Sequence, residues 1–400
     1  MHPSGWEQEL AVTFHTSMTQ LGIISLSGLL ASSLTYPLAG AVGDAYYRGR
    51  IILFSLISIA VTTVLMALAQ TYWHMIVAKV LNGISIGMLV PSLQALVGDM
   101  HSPSNRGKAF GFLNFTGISG SIVGGTLATI LAAGVYWGID GWRIAFLVWT
   151  AYLVVIIIGY AVFASQGLDE VDAKKGDKLA EMADKSLGVQ LQQQATEAWA
   201  KVRVVLAIPT LQVIIIPQAI GLLPWMAMSG WVTFYLEAMG FSNTAAAILL
   251  LVTGLGFAGG SLLGGLLGDW AESVDRYRGR IALAQITIFF GTIVFIFDLQ
   301  VLPRLLDGAD KLTASLAYAV CLFLTGIVTI GGTGAACNLP IILSCLSETH
   351  RTSGVAIERC GGGGGMLIAS IYVFWRGCFQ MRVRACMHAC VWACILGVRV

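Results

Sequence analysis

Gly83-Ile84-Ser85-Ile86-Gly87 has the Gly-x-Ser-x-Gly spacing that, on a sharp strand-to-helix turn, lifts a serine into position for nucleophilic attack. Here the pattern lies inside a long apolar segment, where a helical serine would need a histidine base from another segment. His2, His15, His101, His350 and His388 fall outside the apolar segments and His74 only opens one, so Ser85 reads as a small residue for helix packing and no catalytic site is expected. The eight cysteines, Cys321, Cys337, Cys345, Cys360, Cys378, Cys386, Cys390 and Cys394, all lie late in the chain. No Cys-x-x-Cys occurs, and the four-residue spacing of Cys386, Cys390 and Cys394 turns His388 away from their helical face, so they read as unpaired thiols and no metal or cofactor is expected. What remains with chemical potential is charge: Lys79 within an apolar segment, and a set of acids and arginines at segment ends. Charges so placed bind, pair and switch rather than catalyse.

The elements that must carry these charges follow from composition. Apolar residues make up 56% of the 400 and charged residues 11%, with a mean hydropathy of +0.79, too little polar surface for a water-soluble domain. Mostly apolar stretches of about twenty residues, the length that crosses ~30 Å of hydrocarbon, occupy 21–42, 51–70, 74–98, 109–133, 143–164, 208–235, 245–267, 281–303, 313–338 and 354–374. Lipid leaves no partner for an open backbone, so these ten spans are expected to be helices despite their many β-branched residues. Between the fifth and sixth, 165–203 is charged and Gln-rich; Leu179, Met182, Leu187, Leu191, Ala195 and Ala198 can share one side of a helix lying along the membrane interface. Met1 to Gln20 holds no Lys or Arg and no continuous apolar core, so no cleaved signal peptide is expected.

The chain repeats itself. Tyr47-Arg48-Gly49-Arg50-Ile51 returns unchanged as Tyr277-Arg278-Gly279-Arg280-Ile281, each copy after a Gly-x-x-Gly-Asp, Gly40 to Asp44 and Gly265 to Asp269. Asn105-Arg106-Gly107-Lys108 has a counterpart in His350 to Gly354, and Pro91 one in Pro340. Landmarks recurring in order describe two similar helical bundles, 1–164 and 204–375, joined by the 165–203 linker and followed by a basic Cys-rich tail, 376–400. Placing the Arg48/Arg50, Arg106/Lys108, linker, Arg276/Arg278/Arg280 and Arg351 connections on one side gathers most basic residues there, and the positive-inside rule makes that side cytoplasmic. The net charge of +2 is dispersed over loops, which argues against nucleic acid as a partner.

Gly40-x-x-x-Asp44 with Arg48-Gly49-Arg50, and Gly265-x-x-x-Asp269 with Arg278-Gly279-Arg280, resemble the Gly-x-x-x-Asp-Arg-x-Gly-Arg loop of the major facilitator superfamily, with additional residues between Asp and Arg-Gly-Arg in each copy. The resemblance implies an all-α, multi-pass membrane fold of two bundles, here about ten transmembrane helices arranged 5+5. It also implies a conformational latch of Gly40, Asp44, Arg48, Arg50, Asp269, Arg278, Arg280, Arg106 and Arg351, in which Asp44, its spacing nearer the family's, should matter more than Asp269. Ala78 to Gly83 looks like the family's fourth-helix pattern, with Lys79 where a coupling arginine stands. Gly120-Ser121-Ile122-Val123-Gly124-Gly125 resembles the fifth-helix glycine pattern, with Ser121 in place of proline, and implies close helix packing there. With Gly141-Trp142-Arg143-Ile144-Ala145-Phe146, the set looks most like the spinster-like branch, whose members export lysophospholipids or sphingolipids.

Internal symmetry suggests a chain that begins at the second helix of a twelve-helix plan and lacks the last, since 208–235 has no counterpart before Gly40. The expected function is a monomeric carrier moving a small organic or amphipathic, lysolipid-like solute through membrane lipid by alternating access; the alternative is a non-transporting member of the same fold. Polar or aromatic span residues that could line its cavity are Lys79, Asn82, Asn114, Trp225, Ser229 and Asn338. The scarcity of intramembrane acids, Asp298 and Glu358 near span ends being the plainest, suggests weakly coupled movement.

Overall fold

A computed structural model describes residues 18–132, 134–164, 239–276, 278–330, 337–347 and 350–360, with isolated positions before 18 and between 196 and 236. Among them the chain is helical. We number α1 Met18–Ala45, α2 Arg48–Ala67, α3 Tyr72–Met100, α4 Arg106–Ala132 and α5 Gly141–Gly159, the last extended by a π turn, Tyr160–Ala164. After the linker come α6 Asn243–Val274, α7 Gly279–Ile296, α8 Lys311–Ile330, α9 Leu339–Cys345 and α10, 351–360. A π turn, Phe297–Val301, and a closing α turn, Leu302–Leu305, prolong α7. The only strands among the described residues, Val135–Tyr136 and Ile139–Asp140, form a two-residue hairpin between α4 and α5. Trp137 and Gly138 turn it with positive φ.

Seven described helices are long and apolar enough to cross a membrane: Gln20–Asp44, Arg48–Ala67, Tyr72–Met100, Gly141–Val162, Ala245–Val274, Gly279–Leu305 and Lys311–Thr329. The sequence reading ended the span of α6 at 267; the helix continues to Val274 because Asp269 and Glu272 are engaged within the protein. Of the span read as 313–338, α8 is described to Ile330 and α9 from Leu339, and 331–336 lie outside the described residues. Apart from isolated positions, the linker and the 208–235 span lie outside the described residues, as do the end of the 354–374 span and the tail.

Contacts divide the chain into two compact units. The first takes residues 1–100, 123–219 and 342–367; the second takes 101–122, 220–341 and 368–400. In the first, α3 packs along α1 and α2, and α5 along α2. A Cβ on Gly83 would lie 3.0 Å from that of Ala31, and one on Gly87 would lie 2.8 Å from that of Thr35, so α1 and α3 meet nearly backbone to backbone. Between helices in lipid, where no hydrophobic force favours contact, such proximity is what dispersion requires. The Gly-x-Ser-x-Gly pattern is therefore a helix crossing; Ser85 Oγ shares a 2.6 Å hydrogen bond with Ser58 Oγ. In the second unit α6 and α8 cross in the same manner, a Cβ on Gly260 falling 2.6 Å from Ile327 O. Other hydroxyls inside spans donate one turn back, Thr63 to Ile59 O and Thr253 to Leu249 O, satisfying their polarity without a partner helix.

Of the glycines of the Gly120 pattern, only Gly124 meets another helix closely. Gly124 faces the Trp149 ring, and a Cβ on Gly120 or Gly125 would meet nothing within 4 Å. The close approach of α4 is one turn from its start, at Gly107 and Gly111, for a reason the charges supply.

Candidate functional site

In the first unit Asp44 stands in the last turn of α1 with its side chain 1% exposed. Its carboxylate accepts from the Thr352 N–H at 3.1 Å, the Ser353 N–H at 3.3 Å and the Ser353 hydroxyl at 2.6 Å. These donors open α10, so the acid neutralises the positive end of that helix across 308 residues of chain. Glycine makes the approach possible, since a Cβ on Gly40 would fall 2.7 Å from the Ser353 Cα. Arg48, the first residue of α2, lies 3.7 Å from Asp44 and donates through Nε to Thr352 Oγ1 at 3.0 Å. It also pairs with Asp99 at the end of α3, and Asp99 takes Arg351 on its other oxygen. Lys201 Nζ stands 3.5 Å from Asp44.

The second unit repeats the plan. Asp269 on α6 accepts from the Gly107 and Lys108 N–H groups, each at 2.8 Å, in the first turn of α4. Arg280 donates to Asp269 at 2.6 Å and to Glu272 at 2.9 and 2.6 Å. A Cβ on Gly111 would fall 2.6 Å from Ser261 O, and Asn114 Nδ2 donates to Ser261 Oγ at 3.0 Å one turn further along. Arg106 is buried beside this cap.

The two networks use different arginines of the repeated pentapeptide. Arg48 and Arg280 are buried, whereas Arg50 is exposed with its guanidinium over the Tyr47 ring at 4.7 Å. Arg278 is exposed too, offering only its backbone N–H to Asp275 at 3.0 Å. The cause is helix length. Only Tyr46 and Tyr47 separate α1 from α2, so Arg48 begins a helix beside Asp44; α6 runs past Asp269 to Val274, and α7 begins one residue later in the repeat, at Gly279.

Asp99, Glu272, Lys201, Thr352 and Ser353 belong to these networks and were missed in the sequence. Asp99 follows Gly98 alone at a helix end, with partners 51 and 252 residues away that no local window contains. Glu272 had a signal, one helical turn beyond Asp269.

Of the cavity candidates, Trp225 and Ser229 lie outside the described residues. Asn82 is buried and donates to Thr62 Oγ1 at 3.0 Å, tying α3 to α2, and Asn114 is engaged as above. Asn338 is half-buried beside α9. Lys79 differs from these: its stem crosses Gly28 on α1, where a Cβ would lie 3.0 Å from the lysine Cγ, and among the described residues no carboxylate pairs with it.

Comparison with known proteins agrees with this architecture. Multidrug resistance protein MdtG of Escherichia coli (strain 55989) is 31% identical over 126 residues, 31% of each chain. The MdtG of Proteus mirabilis (strain HI4320) is 27% identical over 168 residues, 42% of this chain and 40% of that one. The matched segment thus spans less than half the length of these curated relatives. Among solved structures, the proton:xylose symporter XylE bound to 6-bromo-6-deoxy-D-glucose superposes with a TM-score of 0.64 at 16% identity, covering 97% of this chain and 85% of that one. The human organic anion transporter MFSD10 superposes with a TM-score of 0.57 at 16% identity, covering 88% and 78%. At such identity these two attest the fold. The profile of the Major Facilitator Superfamily matches residues 4–375, and the chain, an integral multi-pass membrane protein, belongs to that superfamily.

Proposed function

We propose that the protein is a transporter that moves a small organic or amphipathic solute by alternating access, and that the Asp44 and Asp269 networks are its latch. The observation that carries the reading is the duplicated geometry: a buried acid at the end of one helix caps the first turn of another distant in sequence, with a buried arginine alongside, and does so twice. Each cap joins a segment before the 165–203 linker to one after it, so both would have to break if bundles 1–164 and 204–375 rock against each other. A charge network with good hydrogen bonds suits this role, because it stabilises one packing strongly and the other not at all. The basic residues around both networks support a cytoplasmic position for them.

A lysolipid-like solute is the finer reading. It rests on the resemblance of the Gly120 and Gly141 patterns to the spinster-like branch and on Lys79, whose ammonium would suit an anionic head group. Names among the relatives, which include multidrug resistance, sugar symport and organic anion transport, fit a fold that accepts many solutes. The test is uptake and release of labelled lysophospholipids, sphingoid bases, sugars and organic anions by monomeric protein reconstituted in lipid vesicles. Wild type should move at least one class, with the lysolipids foremost, and Lys79→Gln should depress movement of anionic solutes. Movement of none by wild type would refute transport and favour a non-transporting member of the superfamily; movement of sugars alone would refute the lipid reading.

A further inference from the structure

Among the described residues two buried acids lie outside the latch networks: Glu358, which has Arg359 at 3.4 Å, and Asp298, which has no such cation. Asp298 lies in the π turn Phe297–Val301, about 27 Å along the helix from Arg280, towards the opposite membrane face. The residue is 3% exposed. Its chain neighbours Phe297 and Leu299 pack against Tyr235, Leu236, Ala246, Leu249, Leu302 and Tyr318, an apolar cluster drawn from α6, α8, the end of α7 and residues 235–236. The Thr325 hydroxyl donates to Oδ2 at 2.5 Å, while Oδ1 is buried with no hydrogen-bond partner. Tyr235 spends its hydroxyl on the Leu299 carbonyl at 3.3 Å. The titratable groups that face Asp298 are Tyr235, Tyr318 and Cys321; α6 contributes none, and among the described residues no Lys, Arg or His pairs with the carboxyl.

An ionised carboxylate in that setting has neither a counter-charge nor donors for half its lone pairs, an arrangement proteins avoid. A proton removes the charge and leaves a carboxylic acid, which one hydroxyl partner satisfies far better. The π turn bears on this directly. It adds a residue to one helical turn, and each residue rotates the side chain by about 100°, which sets whether Asp298 points at α8 or elsewhere. Such turns recur at functional sites.

We propose that Asp298 is a proton-binding site. The acid form is held between α7 and α8; when that packing loosens and water enters, the O–H bond breaks, the proton passes to water and the carboxylate is hydrated. Where the transport reading holds, the same step couples solute movement to a proton gradient, more tightly than the scarcity of acids in the sequence suggests.

The test uses the full chain in lipid nanodiscs and needs no substrate, so it stands apart from the transport reading. Infrared difference spectra at neutral pH should show a protonated-carboxyl C=O stretch in wild type that shifts in heavy water and is absent in Asp298→Asn, an isostere that preserves packing. In Thr325→Val the band should persist at a shifted frequency, having lost its hydroxyl partner. A wild-type spectrum with carboxylate bands alone, or a C=O band unchanged in both variants, overturns the proposal. A carboxylate band that responds to sodium and not to pH overturns it in favour of a metal cation.

Discussion

Replacing Asp269 with asparagine changes one atom, and the geometry sets what that atom is worth. The carboxylate is 5% exposed and receives the Gly107 and Lys108 N–H groups at 2.8 Å and Arg280 at 2.6 Å. An asparagine can accept from one of the two backbone donors, but its NH₂ then faces the other, or Arg280, as a donor against a donor. Breaking a buried ion pair by removing one partner costs about 3–5 kcal/mol. Arg280 keeps Glu272, whose side chain is 24% exposed, so the lower end applies. At 1.36 kcal/mol per decade, about 3 kcal/mol shifts the equilibrium between capped and uncapped arrangements by roughly two decades. Asp44 is held by longer backbone bonds, 3.1 and 3.3 Å, and stands 3.7 Å from Arg48, so Asp44→Asn should shift it less. That reverses the ranking expected from motif spacing. Spin labels on cysteines placed at the exposed Ser104 and Ser273, in a background with native cysteines replaced, report the separation of the α4 start from the α6 end. Double electron–electron resonance should show a longer distance gaining population in Asp269→Asn. An unchanged distribution in both Asp269→Asn and Asp269→Ala would show that the cap does not hold these helices together.

Adjacent glycines on α6 give an internal control. Gly260→Ala puts a Cβ 2.6 Å from Ile327 O and should destabilise by about 1–3 kcal/mol, whereas Gly259→Ala meets nothing within 4 Å and should raise thermal stability slightly; equal melting in detergent would refute the backbone-to-backbone crossing. Cysteines at Ser104 and Asp307, both exposed, should label from the cytoplasm and from outside respectively in intact cells, and labelling in the reverse sense overturns the orientation. Asp310 accepts the Thr313 N–H at 3.1 Å at the start of α8, and the Thr313 hydroxyl with that N–H holds its carboxyl below the usual carboxylate range. A depressed folded value means the cap is intact above the ordinary value and lost as pH falls through the lowered one. The stability difference between wild type and Asp310→Ala should therefore be constant near neutrality, begin to shrink as pH drops below about 4 and vanish once pH has passed the lowered value; a difference that persists in stronger acid refutes the cap.

Most of the membrane architecture was legible because apolar length is a local signal: the reading 51–70 became α2 at Arg48–Ala67, and 281–303 became Gly279–Leu305. Helix ends were less legible where charge is satisfied within the protein, as at Asp269 and Glu272, since a polar residue ends an apolar window without ending a helix. The acids that cap α10 and α4 could be named from the repeated motif, but their partners could not. Thr352 and Ser353 act in part through backbone N–H groups, which carry no residue-type signature, and Asp99 joins Arg48 to Arg351 only once three distant segments fold together. Asn82 and Asn114 looked like cavity residues for the same reason that they make good helix ties: an amide in a span must bond to something.

The repeated pentapeptide behaves as a homonym. Letter for letter, Arg48 corresponds to Arg278, yet by what it touches Arg48 corresponds to Arg280, a slip of two residues created where α6 outgrew α1. The two copies share a spelling and not a meaning. A charge scan aligned on the motif would compare an exposed arginine with a buried one and find the halves unequal, and one aligned on contacts would find them matched. A chimera that exchanges the two loops whole would for the same reason carry the choice of arginine with it, because the length between acid and pentapeptide, and no letter of the pentapeptide, makes that choice.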